Sequence, residues 1–448
     1  MTNVADTAPA SGPTEQPLGS QAGGAPSAIR RAITATEIDL RLFGMLLALI
    51  GILVGFHIMS GGTFIRPANM VTLSVQATGI AIMATGMVLI IVSRNIDLSV
   101  GSIVGLVAMS YALLQTDWLP ALGLGSDNQW MWLIALAIGL GLGAFIGGVQ
   151  GFIIAYIGVP SFIVTLGGLL SLRGTVWLLS SGAGINGLQT EFRKIGGGVE
   201  GSVGEWVTWL LAVIAIAAII SLIVYSRRQR RRFGFPVRPM WAEVLIAVVG
   251  CLFVLGIAAF ANMNYLPPLL ATEYAAEHGI TEPAGGLKVP IGLPWPIILV
   301  VFVTIAMTFV ATRRRFGRYV YAYGGNPDAA ELAGINTRWT IMKTFMLMGF
   351  LCAIAAAVSA ARLNGATQDV GGGAELYVIA AAVVGGVSFA GGVGTIPGAV
   401  LGAFVMASLS YGLSYNGVNA PTQDVVAGLV LIVAVGFDTW NRRRSGGS

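Results

Sequence analysis

The sequence predicts an all-α polytopic membrane bundle of about 12 embedded helices (10–12), with both termini cytoplasmic. Only 10% of the 448 residues are charged and 55% are hydrophobic, against roughly 25% charge in an average soluble domain. Apolar stretches of about 20 residues, the length that crosses a bilayer, recur along the chain. Positive charge in the connecting segments is strongly biased to one side. A chain this apolar is also excluded from the disordered class.

Residues 1–29 are rich in Ala, Gly, Pro, Ser and Thr and lack a basic segment leading into an apolar core, so they are expected to be a disordered cytoplasmic tail rather than a signal peptide. A single transmembrane domain is expected over 30–445. Its helices are placed at 41–60, 70–93, 98–115, 130–156, 161–180 and 205–225, then at 240–262, 294–312, 339–361, 375–390, 395–415 and 421–440. The stretches 98–115, 375–390 and 395–415 are candidates for short, broken or re-entrant elements. With the N-terminus inside, nineteen Lys and Arg fall on the cytoplasmic side and five on the outer side. The net charge of +5 therefore sets membrane orientation and does not point to nucleic acid. Eight of the ten tryptophans lie close to helix ends, where the ring prefers the headgroup boundary. Between the helices, 226–239 is expected as a basic cytoplasmic linker, 263–293 as the longest periplasmic loop and 313–338 as a cytoplasmic loop.

Helix 130–156 carries Gly139, Gly143, Gly147 and Gly151, all on one face. Such a stripe lets another helix approach closely, either within the subunit or at a seam between two copies. Cys251 and Cys352 sit in apolar runs and are expected as buried thiols. His57 and His278 have no neighbours at ligand spacing, so no metal is expected.

Catalytic signatures are absent. The three lysines, Lys194, Lys288 and Lys343, do not follow the glycine spacing of a phosphate-binding loop, and neither G-x-S-x-G nor H-E-x-x-H occurs. No cofactor is expected on this chain. Few ionisable groups lie deep in the helices. Arg173 is one, roughly 18 Å into helix 161–180, where a charge must face protein or a water-filled cavity. It reads either as a group lining a pathway or gate, or as half of a structural pair. Asp97 either caps the start of helix 98–115 or marks a helix break beside the pathway. Glu375 completes this set of pathway or gate candidates.

The loop 313–338 contains Asn326-Pro-Asp-Ala-Ala-Glu-Leu-Ala-Gly334, which encodes a short isolated helix. Asn326 suits the N-cap and Pro327 the first helical position. Asp328 favours the positive helix start, Ala330 and Glu331 are helix formers, and Gly334 can terminate the turn. A helix of about seven residues does not hold its shape alone. It is either a connector capping the bundle or a docking element for a cytoplasmic subunit that supplies energy.

This loop resembles the coupling region of the permease subunits of bacterial monosaccharide ABC importers, the ribose/xylose branch of the family that includes branched-chain amino-acid permeases. Three other segments are similar to the same family: Arg94-Asn-Ile-Asp-Leu-Ser-Val-Gly-Ser102, Gly158-Val-Pro-Ser-Phe-Ile-Val-Thr-Leu-Gly167 and the glycine-rich stretch from Glu375 to Gly398. The long central segment 226–293 resembles the xylose rather than the compact ribose pattern. The resemblance implies a translocation subunit for a monosaccharide such as a pentose, working as a permease homodimer in the inner membrane lipid. It also implies a cytoplasmic ATPase that uses the ATP and a periplasmic sugar-binding protein. Asn326, Pro327, Asp328, Ala330, Glu331 and Gly334 would then couple to the ATPase. A stand-alone ion-coupled sugar transporter is the competing expectation.

Overall fold

The computed structural model describes residues 40–444 except 126–127 and 281–285. The expected tail at 1–29 lies outside the described residues. Helices α1 (Leu40–Met59), α2 (Pro67–Val92), α3 (Val100–Leu113), α4 (Met131–Phe152) and α5 (Ser161–Ser180) are followed by strand β1 (Ile185–Asn186). Then come α6 (Gly204–Arg232), α7 (Met240–Asn262), α8 (Pro268–Glu277), α9 (Trp295–Arg313), α10 (Arg315–Gly325) and α11 (Pro327–Leu332). The chain ends with α12 (Thr337–Leu363), β2 (Gly365–Ala366), α13 (Ala374–Val384), α14 (Ile396–Tyr415) and α15 (Ala420–Arg444). Among the described residues, ten helices are long and apolar enough to cross a membrane, and the apolar segments in α13 and α15 are shorter. The chain is an all-helical polytopic membrane protein.

Helices α2, α3 and α12 form the buried centre, with α14 beside them, while α1, α5, α6 and α7 present mostly exposed apolar faces suited to lipid. The glycine stripe of α4 explains how its neighbour comes so close. A Cβ at Gly143 would collide with the Gly349 carbonyl oxygen of α12, and one at Gly147 with that of Phe345. Gly139 meets the Tyr111 ring of α3 instead. The stripe is thus consumed inside the subunit, and the seam between copies that it also allowed is not formed by these residues. Cys352 is a buried free thiol as expected, whereas Cys251, also free, is only half-buried.

Some boundaries differ from expectation. The segment 98–115 is not short: α3 runs on through a wider π-helical turn at Leu114–Trp118 to Ala121, giving a 22-residue span. The first half of the arginine-rich linker at 226–239 is helix, because α6 continues to Arg232. At 29 residues α6 is roughly 44 Å long, well beyond an apolar core of about 30 Å. Its polar end is tied to α7 by an Arg227–Glu243 ion pair. The bridges Ser202–Pro294 and Gly204–Gly292 align the starts of α6 and α9, so Arg232 and Arg313 lie at the same, arginine-rich end of the bundle.

Candidate functional site

Two places gather the ionisable and glycine-rich elements. The first is the arginine-rich end. There α9 stops at Arg313 and the chain turns into α10, which buries Gly317, Val320 and Gly324 along one face. Asn326 then caps α11: its side-chain oxygen accepts from the Ala329 N–H at 3.0 Å. The six-residue helix ends as its sequence suggests, with Gly334 at φ 77° and the N–H groups of Gly334 and Ile335 bonded to the Glu331 and Ala330 carbonyls. Ala330 is buried and Pro327 half-buried, so one side of α11 is anchored on the protein. Asp328, Glu331 and Leu332 point away, and Leu332 is 90% exposed.

Helix α2 ends beside α10 with the same capping pattern, the N–H groups of Arg94 and Asn95 bonding the carbonyls of Ile91 and Ile90. Here the left-handed position belongs to Arg94, at φ 60°. A side chain in that conformation costs about 1–2 kcal/mol. The compensation is visible: Arg94 Nε donates to the Gly324 carbonyl at 2.7 Å and Nη2 to the Gly325 carbonyl at 2.9 Å. Even in competition with water, hydrogen bonds from a charged group contribute about 1.5–3 kcal/mol each. The α13–α14 turn closes the same junction. Gly392 N–H donates to the Val92 carbonyl at 3.0 Å, and Tyr321 Oη donates to the Gly394 carbonyl at 2.7 Å. Burial lifts the Tyr321 phenol above its ordinary range. Neither Gly324 nor Gly391 has room for a side chain, since a Cβ would collide with the Val92 oxygen at the first and meet Arg94 Cγ at 2.5 Å at the second.

The second place lies within the span region. Arg173 of α5 and Glu375 of α13 line one cleft with Ser102, Gln368 and the glycines 371–373. After β2, which pairs with β1, the chain runs irregularly from Thr367 to Gly373 beside Gly101 and Gly105 of α3. Only then does α13 begin. Arg173 sits seven residues from the end of α5, roughly 10 Å in, so this non-helical stretch reaches below the helix end. Irregular backbone at such depth is tolerated where protein or a watery cavity satisfies it. Here turns do so, with the Gly372 N–H bonded to Asp369 and that of Ala374 to Gly371. At 11 residues α13 is about 16 Å long, too short to span, so the expected short element at 375–390 is a half-helix. Arg173 is exposed on the surface of the single subunit and makes no ion pair within 4.0 Å among the described residues; Glu375 is its electrostatic neighbour. The cleft holds about 10 Å³, room for one water.

Asp97 is apart from both places. It is 1% exposed and accepts from the Ser99 N–H at 2.9 Å and Ser99 Oγ at 2.7 Å, and Ser99 Oγ also lies 3.0 Å from the Gln150 amide of α4. The Asp97 carboxylate thus closes a turn onto Ser99, the residue that precedes α3, and caps no N–H of the helix itself. Asp97→Ala should leave the Ser99 N–H without an acceptor in the interior, lowering stability by about 1–3 kcal/mol. Asp97→Asn keeps an acceptor. Tryptophan-fluorescence melting in detergent should rank native above Asn above Ala; equal melting of the two variants would contradict the role.

In the sequence, Arg94 stands out only as part of a signature, and nothing there marks α10, Tyr321 or the Gly391–Gly394 turn as its partners. The available signal for α10 is its Gly317, Val320, Gly324 stripe.

The profile of the family described as "Branched-chain amino acid transport system / permease component" matches residues 69–435. The xylose transport system permease protein XylH of Escherichia coli K12 is 32% identical over 91% of this chain and 94% of its own. The ribose import permease protein RbsC of the same strain is 29% identical over 87% and 92%. The galactose/methyl galactoside import permease protein MglC of Haemophilus influenzae is 28% identical over 87% and 91%. No solved structure matches. With these matches spanning both the arginine-rich junction and the half-helix cleft, the chain belongs to the branched-chain amino acid transport system permease family, as a multi-pass membrane protein.

Proposed function

We propose that the chain is the translocation subunit of an ATP-driven ABC importer that moves a monosaccharide, a pentose of the xylose type, across the bacterial inner membrane. The observation that carries this is α11: a capped six-residue helix, anchored through Ala330, with Glu331 and Leu332 turned outward. Its arginine-rich end is the cytoplasmic one by the charge bias of the connecting segments. A helix displayed in this way needs a partner, and a cytoplasmic ATPase pair fits. This chain contributes no nucleotide-binding motif; ATP is bound and hydrolysed by the partner. The sugars named for the relatives are all monosaccharides, and the xylose permeases support the pentose assignment.

The mechanism proposed is alternating access. ATP binding closes the ATPase pair, α11 moves with it, and the bundle changes which side its path opens to. Arg173, Glu375 and Gln368 supply hydrogen-bonding groups for sugar hydroxyls along that path, and Asp97 holds the base of α3. The Arg173–Glu375 cleft, with room for one water, is itself too small for a sugar. In this reading the path opens on transport, between two copies of the permease, after an outer sugar-binding protein has delivered its ligand.

The test is reconstitution of the full chain in proteoliposomes with and without its partner ATPase and the exported binding protein. Labelled xylose should enter only when ATPase, binding protein and ATP are all present, and should be indifferent to protonophores. Uptake by the chain alone on a proton gradient would replace this reading with a secondary transporter.

A further inference from the structure

We propose that Arg94 is the positioning residue that joins the docking helix to the transport core; this rests on the function proposed above. Arg94 occupies a left-handed helix-end position that glycine fills without strain, as Gly334 does at the end of α11. Its side chain accounts for the choice. The guanidinium forks onto the last two carbonyls of α10, and the next residue in the chain is Asn326, the cap of α11. A displacement of α11 therefore acts on Arg94 after one residue, and through Arg94 on the end of α2, one of the most buried spans.

The same junction reaches the cleft. Gly392 binds the Val92 carbonyl and Gly394 accepts from Tyr321, so the turn that ends α13 is fixed to both α2 and α10. Helix α13 then runs as one short strut to Glu375, which faces the Arg173 cleft. Three segments distant in sequence meet with no space for a side chain at Gly324 or Gly391, so they move as a unit. Arg94 is the charged fork in that unit; without it only the Tyr321–Gly394 bond and the close glycine contacts hold α10 to α2 and α13, and movement of α11 is passed on less completely.

The prediction separates positioning from folding. Arg94→Gly removes the fork and also removes the backbone strain, which offsets part of the lost bonding, so detergent melting should fall only modestly and the variant should stay folded. The complex with the ATPase should still form, because α11 keeps its own caps. What should fall is sugar moved per ATP hydrolysed, by about 5- to 10-fold, the low end of a typical coupling between sites. Arg94→Lys, which offers a point charge rather than a fork, should retain part of the coupling. In the isolated permease, amide exchange at Ala329–Gly334 should speed up in Arg94→Gly. An unchanged sugar-to-ATP ratio in a folded, ATPase-bound Arg94→Gly overturns the proposal, as does unchanged amide exchange. A native chain with no ATP-driven uptake brings down the underlying function too, and that failure is visible before any variant is made.

Discussion

Gly147→Leu is expected to yield no monodisperse permease in detergent, whereas Gly141→Leu, on the same helix, is expected to yield near-native amounts. A Cβ at position 141 would have nothing within 4 Å, but one at 147 would collide with the Phe345 carbonyl oxygen and lie 2.9 Å from its carbon. Backbone cannot rotate aside as a side chain can. The α4–α12 pair would have to separate, and Gly143 and Gly151 would lose their own close approaches to Gly349 and Met342. Helices in a membrane associate by such packing, because lipid offers no hydrophobic gain for burying apolar surface. Overpacking a core ordinarily costs about 1–3 kcal/mol, and a backbone clash that also undoes the close contacts one turn to either side should exceed that. Total stabilities are only about 5–15 kcal/mol, so the variant should be lost before purification. Fluorescence-detected size exclusion of tagged proteins checks this directly. Equal peaks for the two variants would mean that the stripe does not hold the subunit together.

The bundle is largely legible in the sequence because its signal is local. Each long span is a run of apolar residues, and the Gly139 to Gly151 spacing announces a close helix contact without naming the partner. The α11 caps are equally local: Asn326, Pro327 and Gly334 lie within one short stretch and each acts on its own neighbours. The rest requires residues that only the fold brings together. Arg94 and Gly324 are 230 positions apart, and Arg94 occupies a conformation its residue type disfavours, so propensity points away from the role it has. Helix α10 is hidden because Phe316-Gly-Arg-Tyr-Val-Tyr-Ala-Tyr-Gly-Gly325 is poor in helix formers, and tertiary contact outweighs that propensity. The extension of α6 to Arg232 escapes notice for the opposite reason. Arginine is a good helix former, but hydrophobicity ends the span where the charges begin.

Glu331→Arg should abolish co-purification of the ATPase while leaving the permease itself intact. The fold has little stake in this side chain: it is exposed, it caps nothing, and the helix is anchored through Ala330 on its other side. Exposed substitutions of this kind usually change stability by no more than about 0.5 kcal/mol. A docked helix is different. Reversing a charge that has been desolvated in an interface costs about 2–5 kcal/mol, or a loss of affinity of roughly 30-fold or more. Leu332→Asp should have an effect of similar size, since burying a leucine contributes about 1.5–3 kcal/mol and the substitution adds an unpaired charge. Gly334→Val acts through conformation, placing a branched residue at φ 77° and releasing the end of the helix. These three changes disturb charge, apolar contact and backbone in turn, so a shared loss of the ATPase with unchanged elution of the permease identifies α11 as the docking surface. If the complex survives all three and ATP-driven uptake persists, α11 is a cap on the bundle and the energy enters elsewhere.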